Sequence, residues 1–296
     1  MKNVFSSYHP IVNICFFIQV FLFSMFIMHP AGLIISFCGA FAYSIYLNGK
    51  KALRFNLIFV LPMLVITALI NPVFNHEGAT ILAYLPSGNP LTLESIAYGG
   101  AAALMLASVV CWFSCYNAVM TTDKIVYLFG RAVPALSLIL SMSLRLVPRY
   151  IAQIKIIADA QKCIGRDASA GNPLSRVRRG IRIVSILVTW AFENAIETAD
   201  SMKSRGYGLP GRTAFSIFRF DRRDRAALSF LIMCGIYIGF GLFSGGVYYR
   251  YFPAVSGRGG ALFTIGIFAA YAALCFTPMV LSVYEEIKWT VIRSKI

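Results

Sequence analysis

Six stretches without a single Asp, Glu, Lys or Arg run along the chain: residues 10 to 29, 31 to 48, 55 to 70, 95 to 119, 227 to 249 and 260 to 284. About 20 mostly apolar residues carry a helix across the ~30 Å hydrocarbon core, so each stretch reads as a transmembrane span. The third is short and its ends are the least defined. Only His29, Pro30, Ala31 and Gly32 divide the first two, enough for a tight helical hairpin. The first run follows a lone Lys2 and resembles a signal peptide, but it leads straight into a second span; we read it as retained.

The stretch from residue 119 to 226 has a different pattern and is not a flexible linker. From Pro134 to Gly165, Leu144, Val147, Ile151, Ile154, Ile157 and Cys163 recur at helical spacing, with Pro148 the expected kink. A second helix is predicted from about Ser175 to Arg205. Its first half is apolar nearly all round, through Ile181, Ile183, Val184, Ile186, Leu187, Val188, Trp190 and Phe192. Its second half narrows to a stripe of Phe192, Ala195, Ile196, Ala199 and Met202. Such a helix is expected to be buried at one end and surface-lying at the other. At 1.5 Å per residue, ~30 residues reach roughly 45 Å, long enough to lie along a membrane face and meet a cytoplasmic partner. A turn-rich connector, Gly165 to Pro173, separates the two helices. Lys203, Arg205 and Gly206 mark a stop, with basic groups at the negative end of the dipole and a glycine suited to the left-handed position. The chain thus divides into residues 1–120, 121–226 and 227–296.

Composition agrees with this pattern. Hydrophobic residues make up 58%, charged residues 13%, and the mean hydropathy is +0.71, which rules out a soluble globule. The long uniform runs also exclude a membrane barrel, whose signal alternates. The fold class is all-α: a polytopic integral membrane protein of about six transmembrane helices, with a long cytoplasmic helical insertion between spans four and five.

Against that apolar background the net charge is +15, from 27 Lys and Arg against 12 Asp and Glu. Six spans put both termini on one side, and the basic residues choose the cytoplasmic side of a bacterial cell membrane. Lys2, Lys50, Lys51, Arg54, Lys288, Arg293 and Lys295 fall in the short inner segments, while Arg250 and Arg258 fall outside. Arg176, Arg178, Arg179 and Arg182, with Arg219, Arg222, Arg223 and Arg225, form clusters suited to anionic lipid headgroups. Nucleic acid is not expected, because aromatic stacking platforms at regular spacing are missing.

The outer segment from Asn71 to Leu91 has turn chemistry at Asn71-Pro72, Gly78 and Pro86-Ser87-Gly88-Asn89-Pro90. Thr92 is placed to cap the next helix, with Glu94 in its first turn. His76 and Glu77 are too few ligands for a metal site and read as a solvated loop. Of the seven cysteines, Cys15, Cys38, Cys111, Cys115, Cys234 and Cys275 fall in spans and act as small apolar residues, and no disulfide framework follows. Gly235 and Gly239, then Gly241 and Gly245, are spaced for close helix approach, within the chain or against another membrane subunit.

Several chemistries lack their residues. There is no Gly-x-x-x-x-Gly-Lys-Ser/Thr loop, since Gly49-Lys50 is followed by Lys51. No His-Glu-x-x-His, acidic pair or nucleophile with a base lies near a span. The spans hold no ionisable acid or base of the kind that carries coupling ions. The chain reads as non-catalytic, with energy and substrate recognition supplied by other subunits.

Residues Ala199-Asp200-Ser201-Met202-Lys203-Ser204-Arg205-Gly206-Tyr207-Gly208, continuing to Gly211-Arg212-Thr213, resemble a signature of one family: the transmembrane component of energy-coupling factor transporters, which includes the permease of cobalt uptake systems. Upstream, Leu144-Arg145-Leu146-Val147-Pro148-Arg149 and Ala160-Gln161-Lys162-Cys163-Ile164-Gly165-Arg166-Asp167 resemble its first signature, and Asn71-Pro72 with Asn75-His76-Glu77-Gly78 is similar to one branch. The likeness spans about residues 70 to 213. It implies that residues 121–226 are coupling helices, each ending in a motif that docks on one of two cytoplasmic ABC ATPases. Those subunits would carry the ATP and magnesium, and this chain no cofactor of its own. A small membrane substrate-binding component would pack on the same helices and import a vitamin or transition-metal ion.

Carried over by position, Ser204, Arg205 and Gly206 form the second docking motif and Lys162, Cys163, Ile164 and Gly165 the first. Here the sequence departs from the pattern: Ile164 stands where the family has Arg, with positive charge only at Lys162 and Arg166. Two other readings remain at this stage. One is the permease of a conventional ABC importer, whose coupling loop is much shorter; the other is a membrane enzyme acting on lipid-linked substrates.

Overall fold

A computed structural model describes residues 4–84, 90–167, 172–207, 209, 218–257 and 262–293. The helices in chain order are α1 (Pro10–Phe26), α2 (Pro30–Asn48), α3 (Lys50–Phe55), α4 (Leu61–Phe74), α5 (Leu93–Val119), α6 (Thr122–Ala132), α7 (Pro134–Cys163), α8 (Pro173–Ser204), α9 (Arg222–Phe243) and α10 (Leu262–Arg293). Two short hairpins join them, β1 (Ile81–Tyr84) with β2 (Pro90–Thr92) and β3 (Tyr249–Arg250) with β4 (Ser256–Gly257). The chain forms two compact units, residues 1–124 with 218–296, and residues 125–217.

In the first unit five helical stretches among the described residues are long and apolar enough to cross a membrane: Pro30–Asn48, Lys50–Phe74, Leu93–Val119, Arg222–Phe243 and Leu262–Arg293. The first expected span is present but short, at 17 residues. It stops at Phe26 because His29 leaves the helical region to cap α2, its ring nitrogen accepting from the Ala31 amide at 3.2 Å ahead of Pro30. His9 and Pro10 start α1 in the same way. The third span is longer than expected. It begins at Lys50, with Lys50, Lys51 and Arg54 exposed in its first turns, and passes through a π turn at Asn56–Val60. Basic residues at a helix end can keep their charged heads in water, so they need not break the helix.

Within this unit α5 packs against α1, α2 and α4, and α10 against α2 and α9. Small polar side chains let the helices approach and bond to one another. The Ser24 and Ser36 hydroxyls lie 2.7 Å apart, Ser24 lies 3.1 Å from the Tyr271 hydroxyl, and the Trp112 indole donates to Ser36 at 3.1 Å. That buried web ties α1, α2, α5 and α10. Around it Phe16 packs edge-on against Phe5 and Trp112, with ring centroids 5.2 and 5.8 Å apart. The expected glycine packing is divided: a Cβ on Gly241 would lie 2.5 Å from Ile267 Cδ1, whereas Gly239 faces open space and Gly245, at φ +70°, ends the helix. Cys111, Cys115 and Cys275 are buried, and all seven thiols are free.

Both loop ends of the unit are anchored by buried charge. Thr92 caps α5 by accepting from the Ser95 amide at 3.3 Å. Glu94 is buried, and accepts from the Thr80 amide at 3.2 Å and the Thr80 hydroxyl at 2.8 Å. The segment read as turns therefore holds an antiparallel hairpin, with Ile81 opposite Thr92 and Tyr84 opposite Pro90, clamped to the helix start. At the other end the buried Lys124 ammonium donates to the Ser6 carbonyl at 2.6 Å and the Val119 carbonyl at 2.9 Å. Burial pushes its pKa down to about 8. The turn at residues 85–89, the connector residues 168–171, Gly208, Gly211-Arg212-Thr213, Arg258 and Lys295 lie outside the described residues.

Candidate functional site

The second unit is built on α7 and α8. The Arg149 guanidinium donates to Asn194 Oδ1 at 2.8 Å and lies 5.3 Å over the Trp190 ring, while Tyr150 meets Trp190 edge-on at 5.9 Å. Stacking and a charge-assisted hydrogen bond thus fix the crossing of the two helices. Pro148 lies next to this contact, inside α7, and the helix continues through it. From the crossing α7 runs on to the connector, where Arg179 at the start of α8 donates to the Asp167 carbonyl. Because α8 then runs back from the connector, the C-terminal ends of the two helices lie on opposite sides of their crossing.

Those two ends have one backbone geometry. At the end of α7, Ile164 takes φ −93° and ψ 19°, and Gly165 turns left-handed at φ +78°. The Gly165 amide donates to the Lys162 carbonyl at 3.0 Å, and the Arg166 amide to Gln161 at 2.9 Å. At the end of α8, Arg205 takes φ −86° and ψ 4°, and Gly206 takes φ +73°. The Gly206 amide donates to Lys203 at 2.9 Å, and the Tyr207 amide to Met202 at 3.1 Å. Both are Schellman motifs, in which two orphan carbonyls of the last turn are satisfied by amides beyond the end and glycine takes the left-handed position without a Cβ penalty. Gly206 in that position is what the sequence predicts.

Each group of sequence-selected residues therefore gathers at its own helix end: Lys162, Cys163, Ile164 and Gly165 on α7, and Ser204, Arg205 and Gly206 on α8. Lys162, Cys163, Ile164, Ser204 and Arg205 are exposed. Ser204 donates its hydroxyl to the Ser201 carbonyl at 2.9 Å, inside its own turn. Lys203 pairs with Asp200 at 3.7 Å and Lys162 with Asp167 at 4.0 Å, both loose surface pairs of small energetic weight. Superposing the two turns sets Ala158 and Asp159 on Ala199 and Asp200, Lys162 on Lys203, and Gly165 on Gly206. This short internal repeat of Ala-Asp-x-x-Lys-x-x-Gly was available in the sequence as a self-comparison, and it extends the site to Asp159, Asp200 and Lys203.

One expectation for α8 is corrected. Its apolar first half is not buried: Ile181 is 65% exposed and Val184 55%, with only Ile183 buried. Phe192 and Ile196 continue the exposed strip at 68% and 65%. No described element of the unit covers that side, so the apolar side chains that periodicity assigns to an interior remain a surface. An exposed apolar strip bordered by polar residues marks a site of contact with protein or membrane. Chemically, the unit offers two glycine-ended turns that allow close backbone approach, basic donors around each, and an apolar face between.

A family model described as cobalt transport protein matches residues 1–215. Among curated proteins the chain is similar to the energy-coupling factor transporter transmembrane protein of Lactococcus lactis subsp. cremoris, 37% identical over 103 residues, covering 34% of this chain and 39% of that one. The protein of that name from Staphylococcus aureus is 33% identical over 110 residues, 37% and 41% of the two chains. Its namesake from Listeria innocua is 28% identical over 214 residues, 66% and 80% of the two. The matched stretch thus spans about two-fifths of the length of the first two relatives. With apolar spanning helices, a long helical insertion and a family match over most of its length, this chain belongs to the CbiQ family of cobalt transport proteins.

Proposed function

We propose that this chain is the transmembrane energy-coupling scaffold of an energy-coupling factor type ABC importer. It links ATP hydrolysis by two cytoplasmic ABC ATPase subunits to movement of a separate small substrate-binding membrane component. The cargo is a vitamin or transition-metal ion bound by that other component. ATP and magnesium belong to the ATPases, and this chain has no catalytic site of its own. The relatives support the membership, and the observation that carries the mechanism is the pair of matching helix ends. Two equivalent turns on opposite sides of one crossing suit two equivalent grooves on an ATPase dimer. The left-handed Gly165 and Gly206 allow the backbone to approach each groove closely, while Arg205 and the neighbouring lysines supply charge. The exposed strip on α8 is the face we assign to the substrate-binding component, and the basic clusters lie against anionic lipid.

Co-purification from native membranes tests this reading. Full-length chain should retain two nucleotide-binding subunits and a small membrane protein, and altering both helix ends should release the ATPases while leaving the chain folded. Activity of the lone polypeptide on a lipid-linked substrate, or ATPase retention indifferent to both ends, would overturn it.

A further inference from the structure

Helices α9 and α10 touch closely at one end and part at the other. Near the tip of their hairpin a Cβ on Gly266 would lie 2.7 Å from the Tyr237 hydroxyl, and Gly241 sits against Ile267. Toward the opposite end the helices separate around a groove of about 940 Å³. Its interior is apolar, lined by Ala227 and Phe230 on α9 and by Phe276, Val280 and Leu281 on α10. Its charged groups gather where α9 begins and α10 ends, at Arg223, Glu285 and Lys288, beside Tyr8.

That end is built and cationic. Arg223 donates to Glu285 at 2.8 Å and to the Ser7 hydroxyl at 3.5 Å, and its guanidinium lies 4.5 Å over the Tyr8 ring. These contacts hold the side chain in place and leave further N–H donors of the fork unused. Glu285 offsets one charge, and Lys288 adds a second cation, exposed and outside any ion pair found among the described residues. Asp224 does not face the groove: it is buried and accepts from the His9 and Asp221 amides at 3.1 and 3.0 Å. Along α10 the lining runs from Ala273 to Ile292, and the part from Ala273 to Lys288 is about 22 Å at 1.5 Å per residue. One leaflet of a ~30 Å core is about 15 Å deep, so that part has the length of an acyl chain plus a headgroup.

We infer that this groove is a binding site for a single anionic phospholipid, its acyl chain against Phe230, Phe276, Val280 and Leu281 and its phosphate at Arg223 and Lys288. A free anion would leave the apolar length unfilled. An apolar chain alone would leave the fixed guanidinium and the lysine unused. The assignment rests on the reading of the basic clusters as lipid-facing and is independent of ATPase docking.

Native mass spectrometry of the full chain, released from mild detergent and titrated with phosphatidylglycerol or phosphatidylcholine, tests it. The wild type should retain phosphatidylglycerol preferentially, unaffected by excess inorganic phosphate. Lys288→Gln should lower that retention about fivefold and leave phosphatidylcholine unchanged. Ala227→Trp, which fills the groove, should abolish the tightly held lipid; should that variant not fold, Lys288→Gln decides. Preference for phosphatidylglycerol that survives the substitutions sinks the groove assignment alone. Displacement by phosphate removes the lipid as ligand, and lack of any preference in the wild type overturns the lipid-facing reading as well.

Discussion

Ile164 and Arg205 hold the same place in two copies of one helix-ending turn, each the last residue before a left-handed glycine, with φ of −93° and −86°. The two ends share a backbone and differ in the side chain it presents. One offers an exposed aliphatic group and the other a guanidinium.

Unequal side chains on equal turns predict unequal docking. A charge-assisted hydrogen bond is worth about 1.5–3 kcal/mol, so Arg205→Ala should weaken ATPase assembly roughly tenfold or more, and Ile164→Ala much less. Ile164→Arg should strengthen assembly. Pull-down of the complex at graded ATPase concentration measures all three, and equal losses for the two alanine variants would sink the prediction.

The left-handed glycines make a backbone prediction. A Cβ at Gly165 or Gly206 costs about 1–2 kcal/mol in that conformation. Gly206→Ala should therefore open the end of α8 and speed exchange of the Tyr207 amide about five- to thirtyfold. Gly165→Ala should do the same to Arg166. Hydrogen exchange resolves the two ends, and protection unchanged in both variants would count against the turns as drawn.

Lys124 makes a pH prediction. Its folded pKa of about 8 lies below the ordinary lysine value of 10.5, so between those values the unfolded chain holds more protons than the folded one. Stability contributed through this group therefore rises with pH over that window and is flat well below it. Lys124→Met should remove the rise and loosen the segment at Ser6, whose carbonyl loses its donor. Thermal unfolding at a series of pH values compares the slopes; identical slopes would contradict the assignment.

Glu94 predicts the behaviour of the β1–β2 hairpin. Glu94→Ala removes the acceptor for both the amide and the hydroxyl of Thr80. Proteolysis of residues 77–84 in the folded protein should quicken on the order of tenfold, with Glu94→Gln intermediate because it keeps one carbonyl oxygen. Unchanged cleavage would assign the clamp to the β1–β2 pairing alone.

Much of this architecture was legible from local pattern. Apolar runs became helices because a chain in lipid must satisfy its own backbone, and the helix does so within one segment. The stop at Gly206, the cap at Thr92 and the acid at Glu94 were readable for the same reason, since each depends on neighbours a few residues away. The strand pair at Ile81 and Thr92 was missed because one of its strands is three residues long and the surrounding turn residues dominate the pattern. The exposure of Ile181 and Val184 was missed because periodicity marks an apolar face without saying what meets it.

The two helix-ending turns divide in the same way. Lys162, Cys163, Ile164, Gly165, Ser204, Arg205 and Gly206 could be selected from sequence, and the Ala-Asp-x-x-Lys-x-x-Gly echo was there to be found. That Ile164 and Arg205 are equivalent required backbone angles, because two different side chains conceal one turn. Sequence by itself determined the class, most of the helices and the helix ends at Thr92 and Gly206, all set by hydrogen bonds and side chains within a turn or two. Tertiary structure alone decided that Ser24, Ser36, Trp112 and Tyr271 form one buried web, that Lys124 holds Ser6, and that α9 and α10 part around a groove with Arg223 and Lys288 at its end. Those contacts join residues far apart along the chain, and only the packing of whole helices brings them within bonding distance.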